Sequence, residues 1–307
     1  MSTSTTVRPV INDDDWLASP EQRRSLSQDL RDIAAELWAS RGLTLELMRR
    51  DLRVRYKQTA MGFGWALLTP LLIVSSGMLV RFAMAYVGGR EPSTHELAGM
   101  AMKALPWSFF VGALGFATQS LTSSSSLITK IYFPREVLPL AATLAHAADA
   151  CVGAVVVVLV SLLLGIHPGT AVLWVPVLAA CLLAFTAGAG LLASCANLFL
   201  RDVKYLVQVC LMFGIFLTPV FFEPHMFGPL GARLMMLNPL APLLEGIRLA
   251  AVENHSLLEP LAVAVRHGSA LAWSPWYLAY GVACSAAMLL VGLLTFHRAE
   301  SRFAEYV

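Results

Sequence analysis

Six long apolar runs dominate this chain of 307 residues and set what it can fold into. They span about Gly62–Val87, Ala104–Ile128, Leu138–Leu164, Ala171–Phe199, Tyr205–Phe222 and Pro275–Phe296. A bilayer core takes about 20 mostly apolar residues per helical crossing. Each run therefore reads as a membrane-spanning helix, with the fifth near the lower limit. Strands are not an option for such runs, because an open sheet in lipid leaves backbone groups unpaired. Composition agrees. Hydrophobic residues make up 57% and charged residues 14%, against roughly 45–50% and about 25% in soluble domains. The mean hydropathy is +0.66.

Charge is scarce, so its placement carries information. Sixteen of the 22 Lys and Arg residues fall on one side of the six-run plan, most of them before the first run. The positive-inside rule then puts both termini in the cytosol. The net charge of +2 gives no reason to expect a nucleic-acid partner. All five cysteines (Cys151, Cys181, Cys195, Cys210 and Cys284) lie inside apolar runs without a C-x-x-C pair, and they read as small core residues. Residues from Met1 to Arg31 hold no apolar stretch, so no cleavable signal peptide is expected.

Three regions follow. Residues 1–28, rich in Ser and Thr with a run of Asp at 13–15, read as a disordered cytosolic tail. Residues 29–61 read as amphipathic cytosolic interface helices. Leu30, Ile33, Ala34, Leu37 and Trp38 share one helical face. Gly42 interrupts the pattern, and Leu45, Met48, Leu52 and Tyr56 resume it beside Arg49, Arg53 and Lys57. Residues 62–307 form the six-span domain.

Single residues invite chemical readings. Asp149, with His146 one turn before it, is an ionisable group inside the third run; it is either a proton relay or a carboxylate paired with another helix, and pairing is the commoner arrangement. Arg81 is expected to snorkel to the outer headgroups. Ser123–Ser126 read as helix-packing hydroxyls. The aromatic residues Trp65, Trp107, Phe109, Phe110 and Phe116 could line a channel on which sugar rings stack; interfacial anchoring and packing are the alternative. The chain has no phosphate-cradling loop, since none of Lys57, Lys103, Lys130 and Lys204 follows a Gly. No H-E-x-x-H occurs, which removes the usual mark of an intramembrane metallohydrolase, and no inverted repeat supports a secondary transporter.

Ordered motifs run through nearly all of the chain after about Leu43. A basic stretch at Arg50–Thr59 leads into Gly62–Pro70 (GFGWALLTP). Leu105–Phe110 (LPWSFF) and Lys130–Pro139 (KIYFPREVLP) follow. Asn197–Val203 (NLFLRDV), Thr218–Phe222 (TPVFF), Leu237–Leu240 (LNPL) and Glu245–Arg248 (EGIR) complete the set. In this order the motifs resemble the permease subunit of type-2 ABC exporters that move polysaccharide: O-antigen, capsule or teichoic acid.

The resemblance implies an all-α membrane protein of the plasma (inner) membrane, a homodimer whose subunits meet through the first and fifth spans. It implies a separate ABC ATPase subunit and no cofactor of its own. Lys130, Tyr132, Phe133, Pro134, Arg135 and Glu136 would form the coupling element that sits in a groove of the ATPase. Pro134 and Pro139 bound that short charged piece, leaving Arg135 and Glu136 to face water or a partner. An ordinary topogenic turn is the alternative. The cargo implied is a polysaccharide on a polyprenyl anchor, and Arg49, Arg50, Arg53, Arg55, Tyr56 and Lys57 would attract its anionic head at the entrance. The apolar patches at Leu234–Leu249 and Leu257–Val265 would be re-entrant gate helices before the last span, with Asn238, Pro239, Glu245 and Arg248 in the gate. Glu245 and Arg248 are i,i+3 partners if helical. A drug or small-lipid exporter of the same superfamily is the nearest other reading.

Overall fold

The computed structural model describes residues 26–57, 62, 64–89, 93–128, 133–163, 165–265 and 268–305. Two helices come first, α1 (Leu26–Ala39) and α2 (Arg41–Tyr56), broken at Ser40 rather than at Gly42. Then follow α3 (Gly64–Gly88), α4 (Thr94–Ser123), a short α5 (Ser125–Ile128), α6 (Val137–Leu163), α7 (Trp174–Phe199) and α8 (Val203–Leu217). Two shorter helices, α9 (Gly228–Met236) and α10 (Leu240–Ala251), precede an antiparallel hairpin of β1 (Leu261–Val265) and β2 (Gly268–Trp273). The last helix, α11 (Pro275–Ala299), ends in a 3-10 turn over Glu300–Glu305. Among the described residues four helical stretches are long and apolar enough to cross a membrane: Thr94–Ser123, Val137–Leu163, Thr170–Phe199 and Pro275–Ala299.

Local chemistry sets the ends. Ser93 accepts the Glu96 N–H at 3.2 Å and caps α4. That start lies ahead of the expected Ala104, because Lys103 and Glu96 break the apolar run while leaving the helix intact. Pro139 stands in the first turn of α6, where a missing N–H removes no helical bond. The patch at Leu257–Val265, expected as a gate helix, becomes β1. Pro260 prevents a helix from running through it, and Val263 and Val265 favour an extended backbone. The hairpin anchors through Trp273, fully buried, whose Nε1–H donates to Leu257 O at 2.9 Å.

The core lies around α4, α7 and α10. Trp107, Phe110 and Phe185 pack there with Leu178, Leu243 and Leu244. Every residue of α10 is buried, and its length of about 18 Å is too short for a crossing of about 30 Å. Small residues permit the tightest packing. A Cβ on Gly292 of α11 would stand 2.5 Å from the Gly188 carbonyl oxygen of α7. A second core cluster gathers Leu47, Phe133, Val137, Leu198, Phe296 and Phe303 at the end where α1 meets the close of α11.

Candidate functional sites

α2 meets α6 through Leu47 and Arg55. α2 runs alongside the first half of α6: Leu47 packs in one cluster with Val137, and Arg55 reaches Asp149, about 18 Å further along the α6 axis. α2 is therefore held against another helix along much of its length. Arg55 pairs with Asp149 and lies 3.4 Å, through Nη1, from His146 Nδ1. Its guanidinium also sits 4.6 Å from the centre of the Phe116 ring. Burial, then the hydrogen bond to Asp149 and its charge, pushes the Tyr56 hydroxyl up to about 12.

These groups line a cavity of about 270 Å³ with Trp65, Ser108 and Phe109. An arginine can only donate, so His146 Nδ1 is the acceptor and the ring proton sits on Nε2. Among the described residues, neither that Nε2 nor Arg55 Nε, both buried, has a hydrogen-bond partner. Gly112 makes room for the imidazole, since a Cβ there would stand 2.7 Å from Nδ1. An apolar recess of about 330 Å³ between α4, α6 and α7 shares Leu105, Phe109 and Ala150 with the cavity. A larger groove of about 630 Å³ lies between α4 and α8, bordered by Trp107, Gln119, Tyr205 and Gln208.

Of the basic stretch, Arg55 and Tyr56 line this cavity. Arg49 is exposed and pairs with Glu46 at 2.6 Å, Arg50 binds Asp51 at 2.9 Å, and Arg53 and Lys57 are exposed. The aromatic group divides. Trp65 and Phe116 are exposed beside the cavity, and Phe109 separates it from the apolar recess. Trp107 and Phe110 pack in the core with ring centres 5.7 Å apart, although the edge of Trp107 borders the α4–α8 groove.

The loop before α6 turns inward. Lys130 and Tyr132 lie outside the described residues. Phe133 is buried, Pro134 and Arg135 are half-buried, and Glu136 is 1% exposed. The expectation that Glu136 faces water or a partner is thus corrected: its carboxylate points to the end of α11, with Oε1 3.3 Å from His297 Nδ1. Burial pushes its carboxyl up. Glu300 is pushed up as well, first by burial and then by the Glu136 charge. Glu136, His297 and Glu300 bring ligand-type atoms within 4.8 Å of one another, the donor chemistry of a divalent-cation site. Glu300 Oε1 already accepts the Arg135 N–H at 3.1 Å, while Glu136 Oε2 is buried with no hydrogen-bond partner among the described residues.

At the opposite end the charges are more deeply buried. Lys103 Nζ donates to Phe222 O at 2.7 Å and lies 3.4 Å from Glu245 Oε2. Arg248 donates twice to Glu245 Oε1, at 2.9 and 2.7 Å, and once to Glu253 at 3.2 Å. Arg81 does not snorkel. It is buried against Glu223 at 2.5 Å and Glu96 at 3.6 Å. Asn238 donates to Thr218 Oγ1 at 2.8 Å and accepts the Leu240 N–H at 3.1 Å, joining the end of α8 to α10 beside Pro239. The sequence reading pairs Glu245 with Arg248 and misses Lys103. The available signal was a lysine beside an apolar run, which needs a buried partner once it leaves water.

Residues 43–251 match the family model described as ABC-2 type transporter. The chain is 27% identical over 246 residues to the O-antigen export system permease protein RfbA of Myxococcus xanthus, covering 79% of this chain and 93% of that protein. It is 25% identical over 264 residues to an O-antigen export system permease protein RfbA of Klebsiella pneumoniae, covering 86% of this chain and 94% of that protein.

Proposed function

Because the chain belongs to the ABC-2 type transporter family, we propose that it is the permease of an ATP-driven exporter of lipid-linked polysaccharide in a bacterial inner membrane. One observation carries this reading: the similarity to O-antigen export permeases extends over 93% and 94% of their length. In this reading α3, α4, α6, α7, α8 and α11 are the six spans, α10 is a re-entrant element, and both ends of the chain are cytosolic. ATP is hydrolysed by a separate ATPase subunit, which docks on the Phe133–Glu136 loop.

The geometry fits a passive conduit. α8 has no buried residue, and its Leu206, Val209, Met212, Phe213 and Phe216 are exposed. α3 likewise exposes Leu72, Leu79, Phe82 and Val87. Apolar faces of this extent suit a second copy and lipid, which supports a homodimer joined through α3 and α8. At the Arg55 cavity the Arg55 Nε–H and His146 Nε2–H, without a partner among the described residues, suit an acceptor-rich head such as a pyrophosphate, and the neighbouring apolar recess suits a hydrocarbon chain.

Deletion of the gene in a producing strain is expected to leave finished lipid-linked polymer inside the cell. The purified chain is expected to copurify with a Walker-motif ATPase whose turnover rises when lipid-linked glycan is added. Transport of the cargo by this chain alone, without an ATPase, would overturn the reading. Loss of a small lipid or drug efflux with normal polymer export would favour the other exporter class.

A further inference from the structure

The last residues of α11 and the turn after it hold the loop before α6 from several directions. Glu300 accepts the Arg135 main-chain N–H at 3.1 Å through Oε1, and its carbonyl accepts Arg135 Nη1 at 3.1 Å. His297 Nδ1 stands 3.3 Å from Glu136 Oε1. The Arg135 guanidinium lies 5.9 Å from the centre of the Phe303 ring. Phe303 is fully buried, edge-on to Phe296 at 5.1 Å, in the same cluster as Phe133 of the loop. One residue after His297, Arg298 binds Asp29 of α1 at 2.9 Å. Two pieces far apart in sequence, the loop and α1, are therefore fastened to the end of α11.

These contacts go beyond what filling space would require. A buried carboxylate such as Glu136 costs free energy that an apolar side chain of similar size would not. In some proteins buried ionic groups fix one arrangement among several that apolar packing would tolerate. α11 itself is stiffly mounted: it approaches α7 backbone to backbone at Gly292 and Gly188, and at its other end Gly281 packs under Leu243 of α10.

We propose that His297, Glu300 and Phe303 are positioning residues of the coupling apparatus, a clamp that fixes the Phe133–Glu136 loop to α11. A push on the loop is then delivered into the α11–α7 pair and toward α10, rather than spent in bending the loop. This rests on the reading of that loop as the ATPase dock.

The test uses the permease–ATPase complex in proteoliposomes, with ATP hydrolysis and polymer export measured on the same sample. Glu300→Leu is expected to leave the ATPase bound and active while export per ATP falls roughly tenfold, the size of a typical coupling between sites. Glu300→Gln keeps an acceptor for the Arg135 N–H and is expected to retain most of the ratio. His297→Leu gives a second route to the same readout if Glu300→Leu does not accumulate. An unchanged ratio in either Leu variant overturns the clamp. A separate arm probes the premise: Pro134→Cys should crosslink to the ATPase in otherwise unaltered protein. Crosslinking that occurs only elsewhere on the chain removes the dock itself, whatever the ratio shows.

Discussion

Asp149 shows what one residue contributes at this depth. A carboxylate inside an apolar helix needs a partner, and the structure supplies Arg55 and Tyr56 from α2. Asp149→Leu leaves the guanidinium without its counter-charge. A fully buried pair broken this way costs about 3–5 kcal/mol. Here the two side chains are 18% and 14% exposed, so water offsets part of the loss. We expect a destabilisation of about 2 kcal/mol, seen as a lower thermal midpoint in detergent. The double variant Arg55→Met with Asp149→Leu should recover most of that stability and still fail to export polymer. Normal export by the double variant would reduce the cavity to a packing feature. The sequence singles out Asp149 as a charge inside an apolar run and sets Arg55 in the basic stretch before the first run. It could not join them, because they are 94 residues apart and belong to separate periodic patterns.

Among the elements, the helices were the most legible part and the connections the least. Runs of apolar residues marked α3, α4, α6, α7, α8 and α11, because a helix satisfies its own backbone and needs no distant partner. The second apolar patch before α11 misled for the opposite reason: a strand exists only with its neighbour, and the pairing of Leu261 with Trp273 is not a local property. Glycines in helices also hide their purpose until the packing is seen. Gly292→Ala would set a Cβ 2.5 Å from the Gly188 carbonyl and 2.8 Å from its Cα, so two backbones must separate. The expected cost is about 1–3 kcal/mol. Gly42→Ala, with nothing within 4 Å of its added Cβ, should instead gain about 0.5–1 kcal/mol. Thermal unfolding of the two variants side by side checks the contrast.

Over the whole molecule the two ends differ in kind. The end bearing α1 and the close of α11 is fastened by aromatic rings and by ion pairs that keep one partner in reach of water, such as Arg298 with the buried Asp29. The other end is fixed by Lys103, Glu245 and Arg248, all but removed from water. The orientation itself is open to direct measurement. With the native cysteines replaced, Ser93→Cys between α3 and α4 should react with a membrane-impermeant thiol reagent added to intact cells. Arg302→Cys should react only after the cells are opened. The reverse pattern would turn the bundle over and separate the loop from any cytosolic ATPase.

The sequence by itself determined that this chain belongs in a bilayer, roughly where its long apolar helices lie and where a charged loop interrupts them. Those properties follow from hydrophobic length and local charge, which act within one helix or one turn. The tertiary structure alone decided which charges meet: Lys103 with Glu245 across 142 residues, and Arg135 with Glu300 across 165. It also turned Glu136 inward and gave Arg81 a buried partner. A charge leaving water takes whatever counter-charge the packed helices bring within reach, and that proximity is written in no local pattern.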